Sequence, residues 1–168
     1  CAAPGGKTLV LASSMGPQST LTSNERSRAR RERLKTVLST HLPEEILARV
    51  RITGFDSSRW LLYEKARYHK VLLDAPCSSE RHLIHSETHL KQWSSSRSKQ
   101  LAIKQFALLA SALEVVKPKG FLVYCTCSLS PLENDGVIKK LFDKREGKFR
   151  IVFPETDFGE QTQFGKLI

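Results

Sequence analysis

Apolar positions along the chain recur with two different periods, and the periods take turns. Val50 and Ile52 alternate with Arg49 and Arg51, which predicts a strand over residues 49–53. Val71, Leu72 and Leu73 form a short continuous apolar run that ends in an acid, so residues 69–74 read as a buried strand. Residues 121–126 and 149–153 read the same way, and residues 19–23 form a weaker strand. Between them the spacing becomes helical. Residues 25–39 carry Leu34, Val37 and Leu38 on one side, and residues 131–144 form another helix. The longest helix covers residues 97–116, with Leu101, Ile103, Phe106, Leu109, Ala110, Leu113 and Val116 at about helical spacing, and Pro118 and Gly120 stop it. Strands and helices in alternation, with apolar strands, predict an α/β fold whose mainly parallel sheet is covered by helices on both faces. There is no internal repeat, and no apolar run approaches the roughly 20 residues of a membrane helix. At 168 residues the chain is long enough for one domain with a real core.

In sheets of this kind ligands bind at the carboxyl ends of the strands. Each chemically suggestive segment falls at such an end, which points to an enzyme. Residues 1–8, Cys-Ala-Ala-Pro-Gly-Gly-Lys-Thr, lead into an apolar helix. Paired glycines let a ligand approach the backbone, and a helix start offers free N–H groups. The spacing is neither that of a P-loop nor GxGxxG. Glu25 follows the next strand about 20 residues on, where nucleotide-binding α/β folds place a ribose-binding carboxylate. Asp56 follows the third strand, where it can receive an adenine amino group. The plainer alternatives are a helix-start charge for Glu25 and a turn residue for Asp56. The three features together favour an adenosine-bearing ligand.

Charge and cysteines narrow the picture. The net charge is +10, and Arg26, Arg28, Arg30, Arg31, Arg33 and Lys35 crowd into one stretch, with Lys91, Arg97, Lys99 and Lys104 in a looser second group. Such a face suits a phosphate backbone, or is simply a solvated helix surface. The four cysteines, Cys1, Cys77, Cys125 and Cys127, lack zinc-site spacing, so no metal is expected, and they read as reduced thiols. Asp74-Ala75-Pro76-Cys77 follows one strand and Thr126-Cys127-Ser128 the next. Adjacent parallel strands bring Cys77 and Cys127 to one rim. A pyrimidine carbon 5 is a poor nucleophile, and thiolate attack at carbon 6 activates it. Asp74 is placed to recognise the cytosine amino group and ring nitrogen 3. A single strand-end cysteine would more simply be a buried small residue.

The segments CAAPGGKT at 1–8, DAPCSSERH at 74–82 and VYCTCSLSPLEND at 123–135 resemble those of the NOP/Sun-domain RNA cytosine-5 methyltransferases. The resemblance implies a Rossmann-like class I fold binding S-adenosyl-L-methionine. It implies Cys127 as nucleophile, Cys77 as the cysteine that aids product release and Asp74 in cytosine recognition. It maps the cofactor onto Cys1, Ala2, Ala3, Pro4, Gly5, Gly6 and Lys7, with Glu25 at the ribose, Asp56 near the adenine, and Arg30 and Asp74 beside them. The family usually has Asp at the ribose position, so Glu25 reaches one methylene further. Cys125 stands where relatives often have Ser and reads as a packing residue. The Ser-Glu-Arg-His stretch at 79–82, Pro-Glu-Glu at 43–45 and the terminal Gly-Lys-Leu-Ile resemble the mitochondrial rRNA branch and its bacterial relatives. This implies RNA, with rRNA foremost, as partner, and a location inside the cell: the mitochondrion of a eukaryote or the cytoplasm of a bacterium. In the family the cofactor loop follows a strand, whereas this sequence opens inside the loop. The reading is therefore a single catalytic domain truncated at both ends. Its first strand, an N-terminal RNA-binding region and its last strand lie outside the sequence, and the fragment is expected to be poorly stable and weakly active. Two rivals stand beside it: a non-catalytic RNA-binding subunit on the same fold, and a nitrogen methyltransferase, which needs no covalent cysteine.

Overall fold

The structure, a computed structural model, describes residues 1–79, 94–153 and 159–168. It divides into two compact units, Cys1–Tyr63 and Glu64–Ile168.

The first unit runs α1 (Gly6–Ser13), β1 (Leu21–Asn24), α2 (Arg28–His41), α3 (Glu44–Leu47), β2 (Val50–Thr53) and a 3-10 turn at Ser57–Leu62. β1 and β2 pair in parallel from Leu21↔Val50 to Asn24↔Thr53. α2 begins three residues later than the apolar spacing predicts. The Glu25 N–H donates to the Thr53 carbonyl at 3.0 Å, which carries the strand ladder one residue further, and Ser27 then caps the helix by accepting from the Arg30 N–H. Leu34 and Leu38 of α2 are fully buried against Ala3, Ala12 and Leu42, with Ile46, Val50 and Ile52 packed around them.

The second unit runs β3 (Tyr68–Asp74), α4 (Ser95–Val115), β4 (Val116–Cys125), α5 (Asp135–Lys144), β5 (Glu160–Gln161) and β6 (Lys166–Leu167). β3 and β4 are parallel and in register from Lys70↔Phe121 to Asp74↔Cys125. Both parallel pairs are joined through helices, as the β/α alternation requires. The core beneath β3 and β4 is Leu73, Ala75, Leu108, Leu109, Ala112, Val137 and Leu141. Phe121 and Val123, alternate with the core-facing Leu122 and Tyr124, are exposed among the described residues.

Several boundaries differ from the sequence reading. The strand expected from residue 121 begins at Val116, directly after the long helix, so Pro118 and Gly120 lie inside β4, where the register shifts between Tyr68 and Lys70. Irregular pairing tolerates a proline without an N–H. Gly120 is required there, because a Cβ would stand 2.6 Å from the His69 carbonyl oxygen. The helix expected from residue 131 starts at 135, since the Gly136 N–H turns back to the Pro131 carbonyl at 2.8 Å. Residues 149–153 form no strand; Phe149 instead meets the Phe142 ring edge-on. Near the C-terminal end the short β6 pairs antiparallel with β5. Ile103, one of the apolar positions of the long helix, is 64% exposed, whereas Leu109 is 1% exposed. Leu109→Ala should therefore cost about 3 kcal/mol in urea unfolding, and Ile103→Ala no more than about 0.5 kcal/mol.

Candidate active site

Glu25 is the hub of the first unit's loop. It is 4% exposed although it is charged. Its Oε2 accepts from the Ala3 N–H at 3.3 Å and its Oε1 from the Ser27 N–H at 3.1 Å. The Arg30 guanidinium lies 3.7 Å from the same carboxylate and donates to the Ala3 carbonyl at 2.8 Å. Glu25 and Arg30 thus strap the Cys1–Lys7 loop to the end of β1. Gly5 precedes α1 with φ +130°, and a Cβ there would press on Leu34 and Val37 at 3.1 Å. α1 begins with no side-chain cap and no acid in its first turn, and the space beside Gly6 is open. Uncapped N–H groups next to a buried carboxylate form a donor and acceptor set that fits an amino-acid carboxylate and a ribose diol.

Asp56 caps the 3-10 turn. Its Oδ1 accepts from the Ser58 N–H at 3.1 Å and the Ser58 hydroxyl at 2.7 Å, and Arg26 sits 3.1 Å from Oδ2. The Ser58 hydrogen bond, aided by the Arg26 charge, holds its carboxyl below the usual range. The turn role anticipated for it is present, and its side chain stays one-third exposed. Asn24, which the sequence reading passed over, locks this end of the sheet. It accepts from the Thr53 hydroxyl and the Phe55 N–H, and donates to the Phe55 carbonyl and the Ser57 hydroxyl.

The arginine-rich stretch is less free than its charge implies. Arg26 and Arg30 hold the two acids, Arg31 donates to the Glu25 and Arg26 carbonyls, and Lys35 pairs with Glu32 at 3.0 Å. Arg28 and Arg33 remain exposed, as do Arg97, Lys99 and Lys104 on α4. Lys91 of that second group, and Glu80, Arg81 and His82 after the Cys77 loop, lie outside the described residues.

In the second unit the strand register delivers both thiols to one rim. The Ala75 N–H donates to the Cys125 carbonyl at 2.9 Å, which extends the β3·β4 pairing to the edge of both loops. Cys77 Sγ and Cys127 Sγ then lie 2.9 Å apart, both reduced and half-buried. The Cys127 N–H points at Cys77 Sγ from 3.3 Å, and the Ser79 hydroxyl is 3.5 Å from Cys127 Sγ. Burial pushes the Cys77 thiol up, and its hydrogen bond with Cys127 pushes the same way. Asp74 ends β3 beside them, and Cys125 does more than fill space: its Sγ is 3.7 Å from Asp74 Oδ1.

The loops around these thiols rest on groups absent from the sequence reading. Glu133 is fully buried, and its Oε2 accepts from the Ser78 N–H and from Gln105 Nε2, each at 2.9 Å. Gln105 also donates to the Pro76 carbonyl at 2.9 Å. The Tyr124 hydroxyl donates to the Glu133 carbonyl at 2.6 Å, and burial first, then the Glu133 charge, raise that phenol well above its usual range. Asn134 accepts from the Thr126 hydroxyl at 2.6 Å and donates to the Ser128 carbonyl at 2.8 Å. One signal was present in the sequence: Gln105 is a polar residue on the apolar face of the long helix, between Ala102 and Leu109.

Residues 1–166 match the family model described as 16S rRNA methyltransferase RsmB/F. The 5-cytosine rRNA methyltransferase NSUN4 of Bos taurus is 38% identical over 99% of this chain and 44% of its own length. The ribosomal RNA small subunit methyltransferase F of Aeromonas hydrophila is 41% identical over 85% of this chain and 29% of its own. The crystal structure of NSun6 from Pyrococcus horikoshii, solved with SFG, superposes on 99% of this chain and 40% of that one with a TM-score of 0.79 at 24% identity, a likeness of fold. The chain therefore spans less than half the length of these relatives. With a family model matching almost end to end, the chain belongs to the 16S rRNA methyltransferase RsmB/F family.

Proposed function

We propose that the chain carries the catalytic core of an S-adenosylmethionine-dependent RNA cytosine-5 methyltransferase acting on rRNA, and that its two units serve one catalytic domain. The observation that carries the reading is the pair of sulfurs 2.9 Å apart at the ends of two adjacent parallel strands. The names of the NSUN4 and methyltransferase F relatives support cytosine 5 and rRNA, and SFG, an S-adenosylmethionine analogue, supports the cofactor. Gly5, Gly6 and Lys7 at the start of α1 would hold the methionine carboxylate, Glu25 the ribose and Asp56 the adenine. S-adenosylmethionine supplies the electrophilic methyl group when bound.

The thiols divide the work. Cys127 attacks as the thiolate, its sulfur forming a bond to cytosine carbon 6 and leaving carbon 5 nucleophilic. Asp74 holds the amino group and ring nitrogen 3. Once carbon 5 carries its methyl group, its proton passes to solvent base at the half-exposed rim. The freed pair restores the 5,6 double bond, and the sulfur–carbon 6 bond breaks. Cys77, kept protonated by its burial, donates to the Cys127 sulfur and stabilises it as a departing thiolate. The target base must first leave its stack to reach this rim.

Cys127→Ala should lose methylation and form no adduct with 5-azacytidine RNA, and Cys77→Ala should accumulate an adduct with ordinary RNA on a denaturing gel. Normal turnover by Cys77→Ala would refute the scheme. Because release needs Cys77 as the thiol and its titration is shifted upward, release should hold at neutral pH. It should fail as pH rises past the ordinary thiol range, with the adduct growing in parallel. Glu25→Gln removes a charged acceptor worth about 1.5–3 kcal/mol, so calorimetry should show S-adenosylmethionine binding weakened roughly ten- to hundredfold. Bisulfite sequencing of rRNA after deletion of the gene should show loss of one or more 5-methylcytosines.

A further inference from the structure

Glu133 and Asn134 are consecutive residues, and each grips the loop of a different thiol. Glu133 takes the Ser78 N–H on one side of Cys77, while Gln105, bonded to the same carboxylate oxygen, takes the Pro76 carbonyl on the other. Asn134 takes the Thr126 hydroxyl on one side of Cys127 and the Ser128 carbonyl on the other. One residue past each cysteine, the Ser78 and Ser128 hydroxyls meet at 3.1 Å in a buried contact. We propose that Glu133, with Gln105, and Asn134 are positioning residues that hold the two thiols against each other, Glu133 governing release through Cys77 and Asn134 governing attack through Cys127. The proposal rests on the two-thiol reading above and assigns the control of each step.

Two features separate this from ordinary packing. Asn134 stands at the N-cap of α5, where an asparagine side chain ordinarily accepts from its own helix, yet it makes no such bond and turns to the Cys127 loop instead. Glu133 and Gln105 are each fully buried, and neither Oε1 has a hydrogen-bond partner among the described residues. A buried, half-satisfied acid lowers stability relative to an apolar residue of the same size. Stability alone does not account for the pair. Its other atoms, all engaged, fix the backbone flanking Cys77. A displacement of about 1 Å at a reacting group can cost on the order of a hundredfold in rate, and the sulfur contact at 2.9 Å has no slack to lose.

The test uses the purified protein, rRNA substrate and S-adenosylmethionine. Covalent adduct is read on denaturing gels, in single turnover for formation and at steady state for accumulation. Glu133→Ala should reduce turnover roughly ten- to hundredfold, raise steady-state adduct toward the level of Cys77→Ala, and leave the rate of adduct formation within about threefold. Glu133→Gln, which keeps an oxygen to accept both bonds, should recover most of the release rate. Asn134→Ala should slow adduct formation without accumulation. Gln105→Met keeps the volume and removes the Pro76 bond; it should show the release defect in milder form, and it serves if Glu133→Ala does not fold. A folded Glu133→Ala or Gln105→Met with wild-type adduct, or with formation and release slowed in equal proportion, overturns the proposal. If Cys77→Ala accumulates adduct and neither of these variants does, the clamp alone is wrong. If Cys77→Ala accumulates none, the two-thiol reading fails first and the clamp falls with it.

Discussion

The parallel register of β3 and β4 is the constraint on which the thiol site depends. Pairing Asp74 with Cys125 sets the two strand ends level, so that loops of similar length place Cys77 and Cys127 at the same height above the sheet. A slip of one residue would turn every side chain of one strand to the other face. It would part the sulfurs and expose Leu73, which now lies in the core. The same hydrophobic pattern that anchors the sheet on Leu108, Leu109 and Ala112 therefore fixes the chemistry at its edge. Irregularity is confined to the far end of β4, around Pro118 and Gly120, where it does not disturb the thiol rim.

What was legible in the sequence follows from this. The strands that lead to Cys77 and Cys127 end in apolar runs followed by turn residues, so the meeting of the two thiols at one rim could be read, although the start of β4 at Val116 could not. Glu25 was also legible as a strand-end carboxylate, and the structure sets it against the loop at 1–7 through the Ala3 N–H. The boundaries that were misplaced are those decided by hydrogen bonds that periodicity does not encode. α2 starts late because Glu25 continues the strand ladder to Thr53. α5 starts late because a turn closes on the Pro131 carbonyl. The buried supports Asn24, Gln105 and Glu133 were hidden for the same reason, since they bond to groups far away in sequence, whereas the half-buried Asn134 bonds to the nearby Thr126 and Ser128. A polar residue in an apolar helical face, as Gln105 is, was the one trace they left.

The basic stretch has partners within the fold as well as charge. Six cations within ten residues suggest a nucleic-acid face. The folded unit commits Arg26, Arg30 and Arg31 to Asp56, Glu25 and the strand-end carbonyls. Arg30 also reaches the Cys1–Lys7 loop through the Ala3 carbonyl. The proposed RNA contact can draw on exposed cations that include Arg28 and Arg33 here and Arg97, Lys99 and Lys104 on α4, and Arg26 and Arg30 also keep exposed side chains.

The two cysteines differ in surroundings more than in position. Both sit on loops after parallel strands, and both are half-buried. Cys77 is flanked by the buried Ser78 and the backbone held by Glu133 and Gln105, and burial, then its side-chain contact with Cys127, shift its titration upward against the opposing Cys127 N–H. Cys127 has the Ser79 hydroxyl beside it, at 3.5 Å. If the two thiols were equivalent, one proton would be shared without preference, and attack and release would compete for the same sulfur. Desolvating one of them breaks the symmetry. In the proposed scheme Cys77, which keeps its proton, is the donor, and Cys127 is the attacking sulfur. In that scheme the buried acid near Cys77 acts through the loop it holds, because its carboxylate accepts from the Ser78 N–H next to that thiol.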